Sequence, residues 1–75
     1  MDMRTQLLYS YARTYMKWEA TNEHSYKKTL GMFRMRLHHE GIMVHSVKDD
    51  GDSYVIEIEI NGLPKIERLQ KPANL

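Results

Sequence analysis

The stretch YVIEIEI, residues 54–60, constrains the fold more than any other part of the chain. It lies between two turn signals, Asp50-Gly51 and Asn61-Gly62. Tyr54, Ile56, Ile58 and Ile60 alternate with Val55, Glu57 and Glu59, so one face is apolar and the other largely charged. Period-two alternation bounded by Gly-containing turns predicts a β-strand in an antiparallel sheet with one face buried. The preceding IMVHSVKDD supplies a partner strand and completes a hairpin. Two registers are open. A two-residue Asp50-Gly51 turn pairs Val47 with Tyr54 and puts Met43, His45 and Val47 on the isoleucine face. A type I turn with Gly51 in a bulge pairs Lys48 with Asp52, turns Ile42 and Val44 inward and His45 outward, and leaves Val47 and Val55 on the outer face. The second is preferred, because it buries Ile42 and Val44 and sets Lys48 against an acid.

A sheet with one apolar face needs a cover, and the first 40 residues provide it. From Arg4 to about Ala20, Leu7, Leu8, Tyr11, Ala12, Tyr15 and Trp18 gather on one side at about 100° per residue, which predicts an amphipathic helix. Tyr9, Met16 and Ala20 form a second, narrower strip on its flank. Thr21 to Ser25 breaks the pattern, and Asn22 or Ser25 can cap the next helix. That helix runs from about Tyr26 to His39, with Tyr26, Leu30, Phe33 and Leu37 as its apolar stripe. Gly31 costs the helix about 1 kcal/mol in propensity, and its missing side chain is read as room for close approach of the first helix. Gly41 suits the left-handed residue that follows a helix end.

The segment LPKIERLQKP after Asn61-Gly62 reads two ways. It can be a third strand. Pro64 also suits the first position of a helix, Glu67 to Lys71 are helix formers, and Pro72 is a natural stop, so the short helix is favoured. The predicted architecture is α+β: two amphipathic helices packed on a small antiparallel hairpin sheet, closed by a short C-terminal helix or third strand. The 75 residues make one small domain, with 71–75 as a loose tail.

A domain of this size buries roughly 60% of its unfolded surface and is marginally stable alone. There is no Cys, so no disulfide reinforces it, and a reducing, cytoplasmic setting is expected. Oligomerisation is the remaining route to extra burial. Eleven basic and ten acidic residues leave a formal charge of +1, far from a nucleic-acid coat or an acidic DNA mimic. No apolar run approaches the ~20 residues of a membrane span, and the N-terminal residues lack the apolar core of a secretory signal.

Chemistry-bearing side chains are few. RLHHEG, residues 36–41, sets His38 and His39 side by side, but adjacent helical residues point about 100° apart and do not converge on one ion. Zinc ligands on a helix need a four-residue spacing, and the residue four before His38 is Arg34, a cation. Basic groups in a last helical turn are explained by the helix dipole. Asp49, Asp50 and Asp52 crowd a turn without the ligand series of a calcium loop. No serine sits in a nucleophile-elbow context, and no glycine-rich phosphate loop is present. No metal, cofactor, small-molecule substrate or enzymatic activity is expected.

Two binding readings remain. Met32 and Met35 lie off the buried stripe of the second helix, and Tyr9 and Met16 lie off that of the first. Six Met and five Tyr in a chain this short suit an adaptable contact surface. This predicts a small regulatory module that binds a protein partner or itself as a homodimer, through Tyr9, Met16, Met32 and Met35. The alternative is nucleic-acid binding. Lys27, Arg34 and His38 fall within about 40° of one another on the second helix, and Arg13 and Lys17 are four apart on the first, so two basic flanks could straddle phosphates. Two helices and a hairpin share parts with a winged helix, but the further helix and a base-reading cluster are absent. No motif ties the chain to a family. Its compact cysteine-free format resembles small regulatory or inhibitory proteins of bacteria and their phages, in size and composition alone.

Overall fold

Asp2 starts the first helix: its carboxylate accepts the Thr5 N–H at 2.7 Å, and α1 runs Met3–Thr21. Residues 2–72 are described by the structure, a computed structural model. Asn22 ends α1 in the left-handed conformation, φ 57°, with its N–H on the Trp18 carbonyl. Asn22 is therefore the stop of α1 and not the cap of the next helix, which is Glu23 and makes no side-chain capping bond. Ser25, the other expected cap, already lies inside α2, His24–His39. Three strands follow: β1 Ile42–Asp49, β2 Ser53–Ile60 and β3 Leu63–Gln70. They form one antiparallel sheet in the order β1-β2-β3.

The hydrogen bond from Thr5 holds the Asp2 carboxyl below its ordinary value of 3.8. A carboxyl depressed in the folded state stabilises it above the unfolded pKa, and that stability is lost as pH falls through the folded value. Asp2→Ala is expected to lower the melting temperature at neutral pH. The difference should vanish once acid has protonated Asp2, which paired melts across the acid range will show.

Neither expected hairpin register is adopted. Ile42 pairs with Ile60 and Val44 with Ile58, then the register shifts, so that Val47 pairs with Ile56, Lys48 with Val55 and Asp49 with Tyr54. The shift falls at His45, which is left as the extra residue of a bulge. Simple alternation forced a choice between burying Ile42 with Val44 and burying Val47. The bulge turns all three inward, and Ile42 and Val47 are buried. Lys48 therefore faces Val55 and not Asp52. The connection is a tight turn at Gly51, φ 76°, in which the Asp52 N–H donates to the Asp50 carbonyl at 3.0 Å.

The C-terminal segment is a strand, not the helix its composition favours. Asn61 and Gly62 both take positive φ, 51° and 85°, the geometry of a two-residue turn whose twist suits a hairpin. That turn lays Leu63 against Ile60, and every residue up to Gln70 then pairs with β2. Backbone pairing outweighs the few tenths of a kcal/mol per residue by which Glu, Arg, Leu and Gln prefer a helix. Pro64 fits because it lies opposite Glu59 next to the hydrogen-bonded Ile60–Leu63 pair, where the missing N–H would face the open edge.

Beyond β3, the Lys71 N–H bonds the Asp52 carbonyl at 2.8 Å and its amine bonds Asp49 at 2.8 Å, so the first residue of the expected tail is tied to the β1–β2 turn. Ala73 to Leu75 lie outside the described residues. The Lys71 bond is the main cause that holds Asp49 below 3.8, and the Asp49 bond is the main cause that raises Lys71 above 10.5. The pair therefore contributes above the unfolded Asp value and below the unfolded Lys value, and fades as pH falls through the Asp49 value or rises through that of Lys71.

One core joins the layers. Leu8, Tyr11 and Ala12 of α1 and Leu30 and Leu37 of α2 pack against Ile42, Val47, Tyr54, Ile56, Ile58 and Leu69 of the sheet. The helices sit over β1 and β2. The inward-facing residues of β3 beyond Leu69 are Glu67, Lys65 and Leu63, and Leu63 is 71% exposed. Glu67 and Lys65 pair with each other at 2.9 Å.

Gly31 does not serve close helix packing. A Cβ added there meets nothing within 4 Å. Gly31→Ala is therefore expected to stabilise the protein by about 0.5–1 kcal/mol through helix propensity, read as a raised urea midpoint with an unchanged slope.

Candidate interaction surface

α2 turns Leu30 and Leu37 into the core and sets two long rows on its outer side. Lys28, Met32, Arg36 and Glu40 form one row at four-residue spacing, and Gly31, Met35 and His39 form the next. Together these seven residues line an open groove of about 730 Å³. Met32 is 72% exposed and Met35 65% exposed. Because position 31 has no side chain, the second row drops away at its start and the groove opens there. A second, smaller groove continues from Met35 towards the β1 edge, where Ile42, Met43 and Val44 line it with Arg34 and His38.

Met43 is 51% exposed and joins this surface from the sheet. It was absent from the residues singled out by sequence. The available signal was its placement between Ile42 and Val44, which turns it outward once both of those are buried.

Tyr9 and Met16 stand differently. Both are partly buried and pack against the core, and Tyr9 meets Tyr54 edge-on with ring centroids 5.6 Å apart. They lie on α1, whereas the groove is made from α2 and β1, so the four expected contact residues do not form one patch. Met32 and Met35 are adjacent in the groove, and Tyr9 and Met16 help close the core.

The basic residues also separate. Lys27 and Arg34 border a third groove of about 310 Å³ between the helices, with Tyr15, Trp18, Leu30 and Gly31. Arg34 donates to the Tyr11 hydroxyl at 2.9 Å, and its guanidinium lies 5.9 Å from the centroid of that ring. A hydrogen bond to Glu19, with burial second, raises the Tyr15 phenol above its ordinary value, so it stays protonated through the neutral range. Tyr15 and Trp18 stand 5.9 Å apart, centroid to centroid. His38 lies further along α2, in the groove beside β1. Arg13 and Lys17 are exposed on α1, each about 160° around the helix from Tyr15, away from this groove. The two expected basic flanks thus do not frame a common channel.

The histidines of RLHHEG diverge as their spacing requires, His38 towards the β1 groove and His39 into the row with Met35. His45, in the bulge, meets Glu59 at 2.8 Å. Among the described residues no three His, Cys, Asp or Glu side chains gather as a metal-ligand group. No helix among them is long and apolar enough to cross a membrane. The chain matches no protein-family model, no curated protein and no solved structure.

Proposed function

We propose that the protein is a non-enzymatic interaction module of the cytoplasm, which binds a macromolecular partner, a second copy of itself or another protein, through the outer face of α2. The observation that carries this reading is the exposed pair Met32 and Met35 over the groove opened by Gly31. Other apolar side chains of α2, Leu30, Phe33 and Leu37, are buried or pack against the core, so the methionines are not surplus from an incomplete stripe. Flexible, polarizable thioethers suit a surface that adapts to a partner. Sedimentation over a range of micromolar concentrations separates the two kinds of partner. A concentration-dependent rise above the 8.9 kDa monomer, abolished by Met32→Asp with Met35→Asp, supports self-association through this face. A monomer throughout retires self-association, and the reading then rests on binding of another protein at this face.

Nucleic-acid binding is the second reading, and one observation favours it: Lys27 and Arg34 flank Tyr15 and Trp18 in the interhelical groove, a pairing of cations with aromatic faces that suits an unstacked base and its phosphate. Titration of labelled single- and double-stranded DNA and RNA at low and moderate salt tests it. Counterion release requires affinity to fall steeply with salt. Lys27→Ala should weaken such binding without touching the core. Absence of binding at low salt removes the reading.

A further inference from the structure

Charge is unevenly placed on this nearly neutral chain. α2 carries Lys27, Lys28, Arg34, Arg36 and three histidines, and neither Asp nor Glu. Acidic residues concentrate on the sheet and its first turn, where Asp49, Asp50, Glu59 and Glu67 are engaged by Lys71, Arg68, His45 and Lys65. Among the described residues no ion pair uses a cation of α2. The helix thus presents an apolar floor, Met32 and Met35, edged by Lys28, Arg36 and His39, with Glu40 the one acid at its end. Gly31 adds a second observation. It weakens α2, and no close contact within the chain uses the space it leaves.

We propose that this face receives an acidic amphipathic helix of a partner protein. The proposal rests on the partner-binding reading above and names its occupant. An incoming helix seats a ridge of apolar side chains between the row of Met32 and the row of Met35, entering where Gly31 leaves the second row open. Its carboxylates flank that ridge and face Lys28, Arg36 and His39. A second copy fits less well: a parallel α2–α2 pair sets Lys28 and Arg36 against their own kind, and an antiparallel pair offers Glu40 as the one acid of the groove to answer Lys28, Arg36 and His39. Like charges about 4 Å apart repel by roughly 1 kcal/mol even in water, and by more where water is excluded. A phosphate backbone would satisfy the rim but would lie over two thioethers that donate no hydrogen bond. A bilayer would gain little from a face two methionines wide.

The experiment uses the full chain and defined probes. A labelled helical peptide of about five turns carries Leu at i, i+3, i+4 and i+7 spacing and Glu elsewhere. Controls are the same peptide with Lys for Glu, a scrambled version without an apolar face, a single-stranded oligonucleotide, and anionic phosphatidylglycerol vesicles. Binding is read by fluorescence anisotropy and by the methionine methyl signals in NMR spectra.

The expected result is at least a tenfold preference for the Glu peptide over both peptide controls, and affinity that falls with salt. Methyl shifts should centre on Met32 and Met35 while Met3 and Met16 stay in place. Lys28→Glu with Arg36→Glu should reverse the preference towards the Lys peptide. Equal binding of the Glu and Lys peptides, shifts centred elsewhere, or tighter binding of the oligonucleotide or the vesicles overturns the proposal. If Met32 and Met35 instead shift with protein concentration alone, the partner is a second copy: the acidic-helix proposal falls and the partner-binding reading stands. If these methyls respond to no probe and to no self-association, both fall.

Discussion

Ile56→Ala is expected to leave the protein largely unfolded at physiological temperature. Ile56 is fully buried at the centre of the middle strand, between Val47 on β1 and Glu67 on β3, and it faces the helices. Truncating a buried Ile to Ala costs about 2–5 kcal/mol through lost transfer energy and the cavity left behind. A core in a chain this short supplies only about 3–5 kcal/mol in total. The central position offers little room to collapse, because β2 is held by neighbours on both edges, so the cost should fall in the upper half of that range. With slopes near 1 kcal/mol/M for small domains, the urea midpoint should drop by roughly 3 M or more, to near zero denaturant. Ile66→Ala is the control. Ile66 is 67% exposed on the outer face of β3, and its truncation should change stability by less than about 0.5 kcal/mol. Equal effects at the two sites would mean that the core does not lie on the Ile56 side of the sheet.

That core side is legible in the sequence. The Tyr54–Ile60 alternation places Tyr54, Ile56 and Ile58 together, and all three are buried. The Leu30 and Leu37 stripe of α2 and the Leu8, Tyr11 and Ala12 stripe of α1 meet them. What alternation does not encode is an interruption of itself. IMVHSV reads as two incompatible half-patterns, Ile42 with Val44 and then Val47, and only a bulge at His45 reconciles them. The bulge has a further use on β1, an edge strand, because it disrupts the regular ladder that another chain would need for edge pairing. The last strand, read as the less favoured of two alternatives, was obscured for a different reason. The composition of residues 64–71 argues for a helix one residue at a time, whereas the Asn61-Gly62 turn acts through the whole length of β2. Local preferences of tenths of a kcal/mol lost to an eight-residue pairing that they do not describe.

The candidate surface was legible in part for the same reasons. Met32 and Met35 fall off the helical stripe and are exposed, as the periodicity requires. Tyr9 and Met16 also fall off their stripe, yet both pack on the core, Tyr9 edge-on against Tyr54 of the sheet. A helical wheel shows which side chains share a face. It does not show how wide a face the neighbouring layer covers. Met43 was legible too, since the preferred register turns Ile42 and Val44 inward and so sets Met43 outward, and the bulge lies beyond it. The charge contrast was written in the sequence throughout: HSYKKTLGMFRMRLHH contains no acid. Its meaning needed the sheet, because only there are most of the opposing acidic groups found engaged by cations from outside α2.

Gly41→Ala should cost about 2 kcal/mol or more, well beyond what one exposed methyl group suggests. Gly41 links α2 to β1 at φ 77°, where an L side chain costs about 1–2 kcal/mol. An added Cβ would also collide with the carboxamide of Asn61, and the Asn61 N–H bonds the Gly41 carbonyl at 2.9 Å. The residue that ends α2 and the residue that turns β2 into β3 thus occupy one small space. Gly51→Ala and Gly62→Ala measure the conformational part alone, since both glycines have positive φ and open surroundings. Asn61→Gly removes the carboxamide while keeping a residue that accepts φ 51°. In that background Gly41→Ala should lose the steric share of its cost, leaving a coupling of about 1 kcal/mol in a double-mutant cycle measured by urea unfolding. A coupling near zero would mean that Asn61 swings aside freely and the two corners are independent. With the coupling present, the corner fixes the C-terminal end of α2 relative to the sheet. That end carries Arg36, His39 and Glu40, so the lock that stabilises the fold also sets where the rim of the methionine groove stands.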